Sequence, residues 1–121
     1  MCKVISVTVK DRTFNVADIK QKYMENIIDA AEKCDFIERV VLFGSSIEKR
    51  CKKTSDIDIA VFGKHSRSRA LKSKKYEKFA RQLYSFDDHN QAYDILYFQE
   101  GRNNTDLIFE GINKGEILYE R

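Results

Sequence analysis

Two aspartates one residue apart, Asp56 and Asp58, interrupt the apolar run "SDIDIAV", and Gly44, Ser45 and Ser46 end the apolar run "VVLF", with ten residues between Ser45 and Asp56. In a strand, residues two apart point to the same face, so Asp56 and Asp58 project together while Ile57 and Ile59 face a core. Carboxylates held that close repel each other and raise each other's pKa unless a positive charge lies between them. A divalent cation relieves the repulsion. Oxygen-only ligands suit Mg²⁺ or Mn²⁺, and magnesium ordinarily draws further oxygens from a phosphorylated substrate. Asp94, which interrupts "AYDILYF" beside Ile95 and Leu96, is a third candidate. Three acids on adjacent strands can hold two metal ions and clamp both sides of a phosphoryl displacement. The plainer alternative is a solvated strand face, where polar residues are common.

The glycine-serine corner adds a second function to the same short unit. Gly44 lets the backbone turn sharply and approach a ligand closely. The residues after it can open a helix whose free N–H groups, with the Ser45 hydroxyl, bind phosphate oxygens. A serine cap after a glycine turn is the structural alternative, and a frequent one. It leaves unexplained why paired acids follow within the same unit. A phosphate cradle beside a metal site suits a nucleoside triphosphate, whereas the GxxxxGK[ST] of a P-loop and the GxGxxG of a dinucleotide fold are both missing.

These residues need elements to hold them. "VISVTV" alternates as a half-buried strand does, and "RTFNV" returns after Lys10-Asp11 as a second short strand. The pattern predicts a helix from about Val16 to Cys34, with Asn15 as N-cap and Ile19, Tyr23, Ile27, Ala31 and Cys34 on one face. "RVVLF" is too apolar for either face to meet water, and residues 55 to 62 form the strand that carries the paired acids. A basic helix is expected from Ser68 to about Tyr84, burying Leu71, Phe79 and Leu83; "AYDILYF" is a further core strand. A short closing helix, Asn104 to Asn113, carries Leu107, Ile108 and Ile112. The fold class is α/β, a mixed β-sheet in one layer backed by helices.

Composition narrows the function classes. The 121 residues suffice for one core and one domain, with residues 1–15 as an N-terminal strand or hairpin extension and 16–121 as the core. No apolar run approaches the roughly 20 residues of a membrane span. "MCKVISVTVK" lacks the apolar block and cleavage site of a signal peptide, so a cytoplasmic location is expected. Cys2, Cys34 and Cys51 are odd in number and form no CxxC pair, which fits reduced thiols rather than a disulfide frame or zinc site. Residues 48 to 81 hold 12 Lys/Arg against four acids, a local +8, while the rest of the chain holds ten basic and 15 acidic residues, or −5. Such a run is either a solvated helix face or an attraction for polyphosphate or nucleic acid. Nucleic acid is not the expected partner, because that reading rests on charge alone and Phe79 of the basic helix is read as core rather than as a base-stacking aromatic.

"LFGSS" followed by "SDIDIAV" resembles the DNA polymerase β-type nucleotidyltransferase superfamily, and most of all its minimal nucleotidyltransferases, the MNT domain. The likeness covers roughly residues 16 to 121: "AYDILYF" stands where the family has its third carboxylate strand, and "IFEGINKGEILYER" resembles its C-terminal helix and tail. The resemblance implies that Gly44 and Ser45, with Ser46 beside them, hold the triphosphate. It implies further that Asp56 and Asp58 bind the metals, and that Asp94 completes the site and helps activate the incoming hydroxyl. Many minimal members carry arginines and a glycine after the GS pair. Here the segment reads "SIEKRCKK", leaving Arg50, Lys52 or Lys53 as replacements. Arg and Lys are not interchangeable in a bidentate role, which bears on nucleotide affinity more than on catalysis.

The activity so implied is Mg²⁺-dependent transfer of a nucleoside monophosphate, AMP from ATP, to an acceptor hydroxyl. Nearly all of the chain is spent on the catalytic layer, so a second, acceptor-binding domain like that of aminoglycoside-type relatives is not expected. The resemblance instead implies a protein acceptor, a helical HEPN-type toxin with this chain as its MNT antitoxin. The alternative is a nucleotide-binding module that neutralises a partner by contact alone. The oligomeric state is left open.

Overall fold

Alternating β-branched residues at the N-terminus form β1 (Val4–Val9), which turns through Lys10 and Asp11 into β2 (Arg12–Ala17). The two pair antiparallel, from Val4 opposite Ala17 to Val9 opposite Arg12. The computed structural model describes residues 2–101 and 111–121. The helix expected from about Val16 begins only at Gln21. Val16 and Ala17 instead complete the hairpin, fully buried, and a 3₁₀ turn over Asp18–Lys20 leads into α1 (Gln21–Lys33). Asn15 is therefore a strand residue and not a cap; its N–H donates to Glu116 Oε1 at 2.5 Å. The helical face is as its spacing requires: Tyr23, Ile27, Ala31 and, just past the helix, Cys34 are buried.

Four strands form the main sheet: β3 (Ile37–Phe43), β4 (Ile57–Gly63), β5 (Tyr93–Gln99) and β6 (Glu116–Glu120). Their order is β5-β4-β3-β6, with β4 and β5 parallel and the other neighbours antiparallel. The sheet is mixed and helix-backed, as the sequence pattern predicts. The segment "EILYE", read from sequence as part of a helix and tail, is a strand. It lies against β3 with Leu118 only 1% exposed, and the following Arg121 donates from Nε to Ile37 O at 3.1 Å. Five residues are too few for an alternating pattern to separate strand from tail; the partner strand decides.

The two faces of the sheet differ. Ile57, Ile59 and Val61 of β4 pack in the large core with α1 and with Phe79 and Leu83 of the basic segment. The opposite parity, Ala60 and Phe62, joins a smaller cluster with Val41 and Ile112. The basic segment is two helices rather than one: α2 (Arg67–Leu71) and α3 (Lys74–Ser85). The break falls at Lys72-Ser73, where Ser73 Oγ caps α3 by accepting the Lys75 N–H at 3.2 Å. It also overturns one expected core residue, since Leu71, at the end of α2, is 56% exposed. Between α3 and β5 the backbone of Asp87, Asp88 and His89 is left-handed, and the Asp87 carboxylate accepts from Tyr23 Oη at 2.5 Å.

Of the expected closing helix, Leu107 and Ile108 lie outside the described residues, whereas residues 111–113 are helical and Ile112 is buried. Cys2, Cys34 and Cys51 are free and buried. Among the described residues no helix is long and apolar enough to cross a membrane.

Candidate active site

The acids sit at one end of the sheet, on the face turned away from α1 and α3. Asp58 shares the parity of Ala60 and Phe62, so it points opposite to Ile57 and Ile59. Its neighbour across the parallel pairing is Asp94, in register, and across the antiparallel pairing it is Phe43, the residue before Gly44. Two carboxylates thus stand side by side on adjacent strands. Asp56 differs from its expected place. It lies one residue before β4, exposed, while Asp58 is half-buried.

Gly44 brings the corner onto the acids. Its φ is +73°, a conformation that side-chain-bearing residues adopt at a cost, and a Cβ built there would collide with the Asp58 Oδ2. The corner itself is a 3₁₀ turn, Gly44–Ile47, closed by Glu48 N–H donating to Ser45 O at 2.9 Å. Ser45 is half-buried beside the Cys51 thiol. Ser46 is fully buried, and its Oγ has no hydrogen-bond partner among the described residues. The close seat of Asp58 on Gly44 ties the corner to the acid strand.

The electrostatics favour a cation. Burial, then the charge of Asp94, then that of Asp56, push the Asp58 carboxyl above the usual aspartate range, and Arg50 pulls it back. The first three causes disfavour the ionised form, and a divalent ion between these oxygens would reverse the balance. Among the described residues no three His, Cys, Asp or Glu side chains converge as a ready-made cage. The donor set is instead a few carboxylate oxygens beside the Gly44 corner, and magnesium commonly takes its remaining ligands from substrate and water.

The positive charge after the corner divides in two. Arg50, Lys52 and Lys53 lie in the loop between the corner and β4, and Arg50 ion-pairs with Glu48 at 2.6 Å while remaining in the field of Asp58. The cations of α2 and α3 belong to the helical layer, across the sheet from the acids, so they do not line the site.

Sequence reasoning missed Lys20. It stands one residue outside the apolar face of α1 and reads as a solvent lysine. In the structure it is 1% exposed, and its ammonium lies beside the loop that delivers Asp56. Gln91, read only as part of a connection, is buried against it. Isolated Lys and Gln carry no sequence signal for such a role, because their type suggests the surface.

No curated protein matches the chain. The family described as polymerase beta nucleotidyltransferase matches residues 25–121, a span that contains the corner, the paired acids and the Asp94 strand. By that match, on a mixed sheet that sets Asp58 against both Asp94 and Gly44, the chain belongs to the polymerase β nucleotidyltransferase family.

Proposed function

We propose that this nucleotidyltransferase moves AMP from ATP to a hydroxyl of a partner protein, and that Asp56, Asp58 and Asp94 carry the chemistry. The observation that supports it most is the register of Asp58 with Asp94, with the Asp58 carboxylate against Gly44. Gly44 and Ser45, with Ser46 behind them, hold the triphosphate through backbone N–H groups and hydroxyls. Asp56 and Asp58 hold Mg²⁺ or Mn²⁺, with Asp94 as the third acid. When bound, the metal neutralises the acids and the developing charge on the phosphate oxygens. Asp94, exposed on its strand, accepts the proton of the acceptor hydroxyl. The oxygen forms a bond to the α-phosphorus, the bond from that phosphorus to the bridging oxygen breaks, and pyrophosphate leaves with the electron pair. ATP as donor, a helical HEPN-type toxin as acceptor and an antitoxin role all rest on the resemblance of "LFGSS…SDIDIAV" to minimal nucleotidyltransferases.

A second reading has one observation in its favour. Arg50, the sole arginine after the corner and before the acids, is engaged by Glu48, which leaves less positive charge for a triphosphate. On that reading the chain binds nucleotide and neutralises its partner without turnover. Incubation with Mg²⁺, ATP and the protein encoded beside it separates the two. Transfer leaves one or more AMP masses on the partner by intact-mass spectrometry, lost in the double variant Asp56→Asn, Asp58→Asn, which still forms the complex. No adduct from wild type, with neutralisation undiminished in the double variant, would sink the catalytic reading.

A further inference from the structure

Lys20 ends the 3₁₀ turn that joins the hairpin to α1, and its ammonium is held by three oxygens. It donates to Gln91 Oε1 at 2.6 Å, Ser55 O at 2.7 Å and Lys53 O at 3.1 Å. Gln91 extends the network: its Nε2 donates to Ser55 O at 3.0 Å and to Ala92 O at 2.7 Å. Ala92 O also accepts the Ile57 N–H at 3.0 Å. The oxygens involved are not scattered. Ser55 immediately precedes Asp56, and Ala92 lies two residues before Asp94. A single buried cation and a single buried amide therefore tie together the entries of the two strands that carry the acids.

We propose that Lys20, acting with Gln91, is a positioning clamp that fixes the Asp56–Asp58 strand against the Asp94 strand and so sets the spacing of the metal-binding carboxylates. The metal-binding part rests on the function proposed above; the strand-fixing part does not. A lysine with only a packing role would not need its whole ammonium spent on the approaches to these two strands. Two of its three acceptors are main-chain carbonyls of residues 53 and 55, in the turn just before β4, which closes on itself through Lys52 and Ser55 and which the ammonium anchors to Gln91. Burying a charged ammonium is unfavourable unless all of its donors are used, and here three donors meet three acceptors. The charge of Asp56 also acts on Lys20, so the clamp lies within the electrostatic reach of the site it would position. Lys20 itself is turned into the fold and acts through Ser55; it is not a catalytic residue.

Lys20→Met keeps the unbranched apolar stem out to the ε position and removes the charge and donors; Gln91→Leu cuts the same network from the other side, should Lys20→Met not fold. Leu83→Ala, in the core on α3, serves as a control of lowered stability outside the Lys20–Gln91 hydrogen-bond network. Two readouts are taken on folded protein below its melting point. Mn²⁺ affinity, read by electron paramagnetic resonance, should fall tenfold or more in Lys20→Met and return toward wild type in Lys20→Arg. The control should remain within twofold. Amide exchange at Ile57, whose N–H meets Ala92 O, should quicken in Lys20→Met tenfold or more beyond what its change in global stability accounts for, and in the control by no more than its own stability loss accounts for. If wild type binds no Mn²⁺, the metal reading fails while Ile57 exchange still judges the clamp. Wild-type exchange at Ile57 in both clamp variants would overturn the clamp, and wild-type Mn²⁺ affinity alone would overturn its role in the site.

Discussion

Asp58 is penalised as an anion on every side but one. Burial comes first, Asp94 and Asp56 add repulsion, and Arg50 opposes them from a loop where Glu48 already holds it. Its folded-state pKa therefore lies above the ordinary aspartate value. The folded chain binds that proton more tightly than the unfolded chain, so the cost is absent at low pH and grows as pH rises through the folded pKa. Asp58→Asn should accordingly raise the melting temperature of the metal-free protein at neutral pH, and the gain should shrink toward pH 3. Mg²⁺ with a non-hydrolysable ATP analogue should invert the order. Ligand at about 100 times its Kd stabilises the binding-competent wild type by about 2.7 kcal/mol and leaves the variant behind. Equal shifts in both proteins by scanning calorimetry would remove Asp58 from the metal site.

Elements decide which apolar residues matter. Leu71 and Leu83 both belong to the basic segment and both fit one helical stripe in sequence, yet the break at Lys72-Ser73 separates their fates. Leu71 ends α2 facing solvent, and Leu83 is fully buried under α3. Truncating a buried leucine loses transfer free energy and leaves a cavity, whereas truncating an exposed one loses little. Leu83→Ala should destabilise by about 2–5 kcal/mol. Leu71→Ala should stay within about 0.5 kcal/mol of wild type. Urea titrations of the two variants check the pair, and equal losses would mean that one continuous helix forms after all.

At the scale of the molecule, β6 closes the sheet that presents the site. It covers the far edge of β3, buries Leu118, and places Arg121 so that its guanidinium donates to the carbonyls of Ile37 and Cys34 at 3.1 and 3.2 Å. β3 in turn holds β4 through pairings that run from Ile37 opposite Gly63 to Phe43 opposite Asp58. Loss of Leu118 alone should cost about 2–5 kcal/mol. A domain of this size has about 5–15 kcal/mol in total. Ending the chain at Gly115 should therefore abolish cooperative melting by circular dichroism. A truncated protein that melts sharply at the wild-type temperature would show that β6 is an accessory.

Much of this was legible in the chain itself. Alternation in "VISVTV", the unbroken apolar character of "RVVLF" and the carboxylates set into "SDIDIAV" and "AYDILYF" specify strands with Asp56 and Asp58 on one face, because residues two apart in a strand point the same way, although the structure begins β4 only after Asp56. The glycine before two serines marked the corner for the same local reason: few other residues turn there. What lay beyond the sequence was every relation between distant segments. That Asp58 faces Asp94 in register depends on β4 and β5 pairing in parallel, and that Gly44 must be glycine depends on the Asp58 carboxylate as well as on its own φ. Val16 joins a hairpin rather than a helix because β1 offers it a partner, and "EILYE" becomes a strand because β3 does. Lys20 is the sharpest case. Its chemistry places it in water, and only three oxygens gathered from residues 53, 55 and 91 make the interior acceptable to its charge.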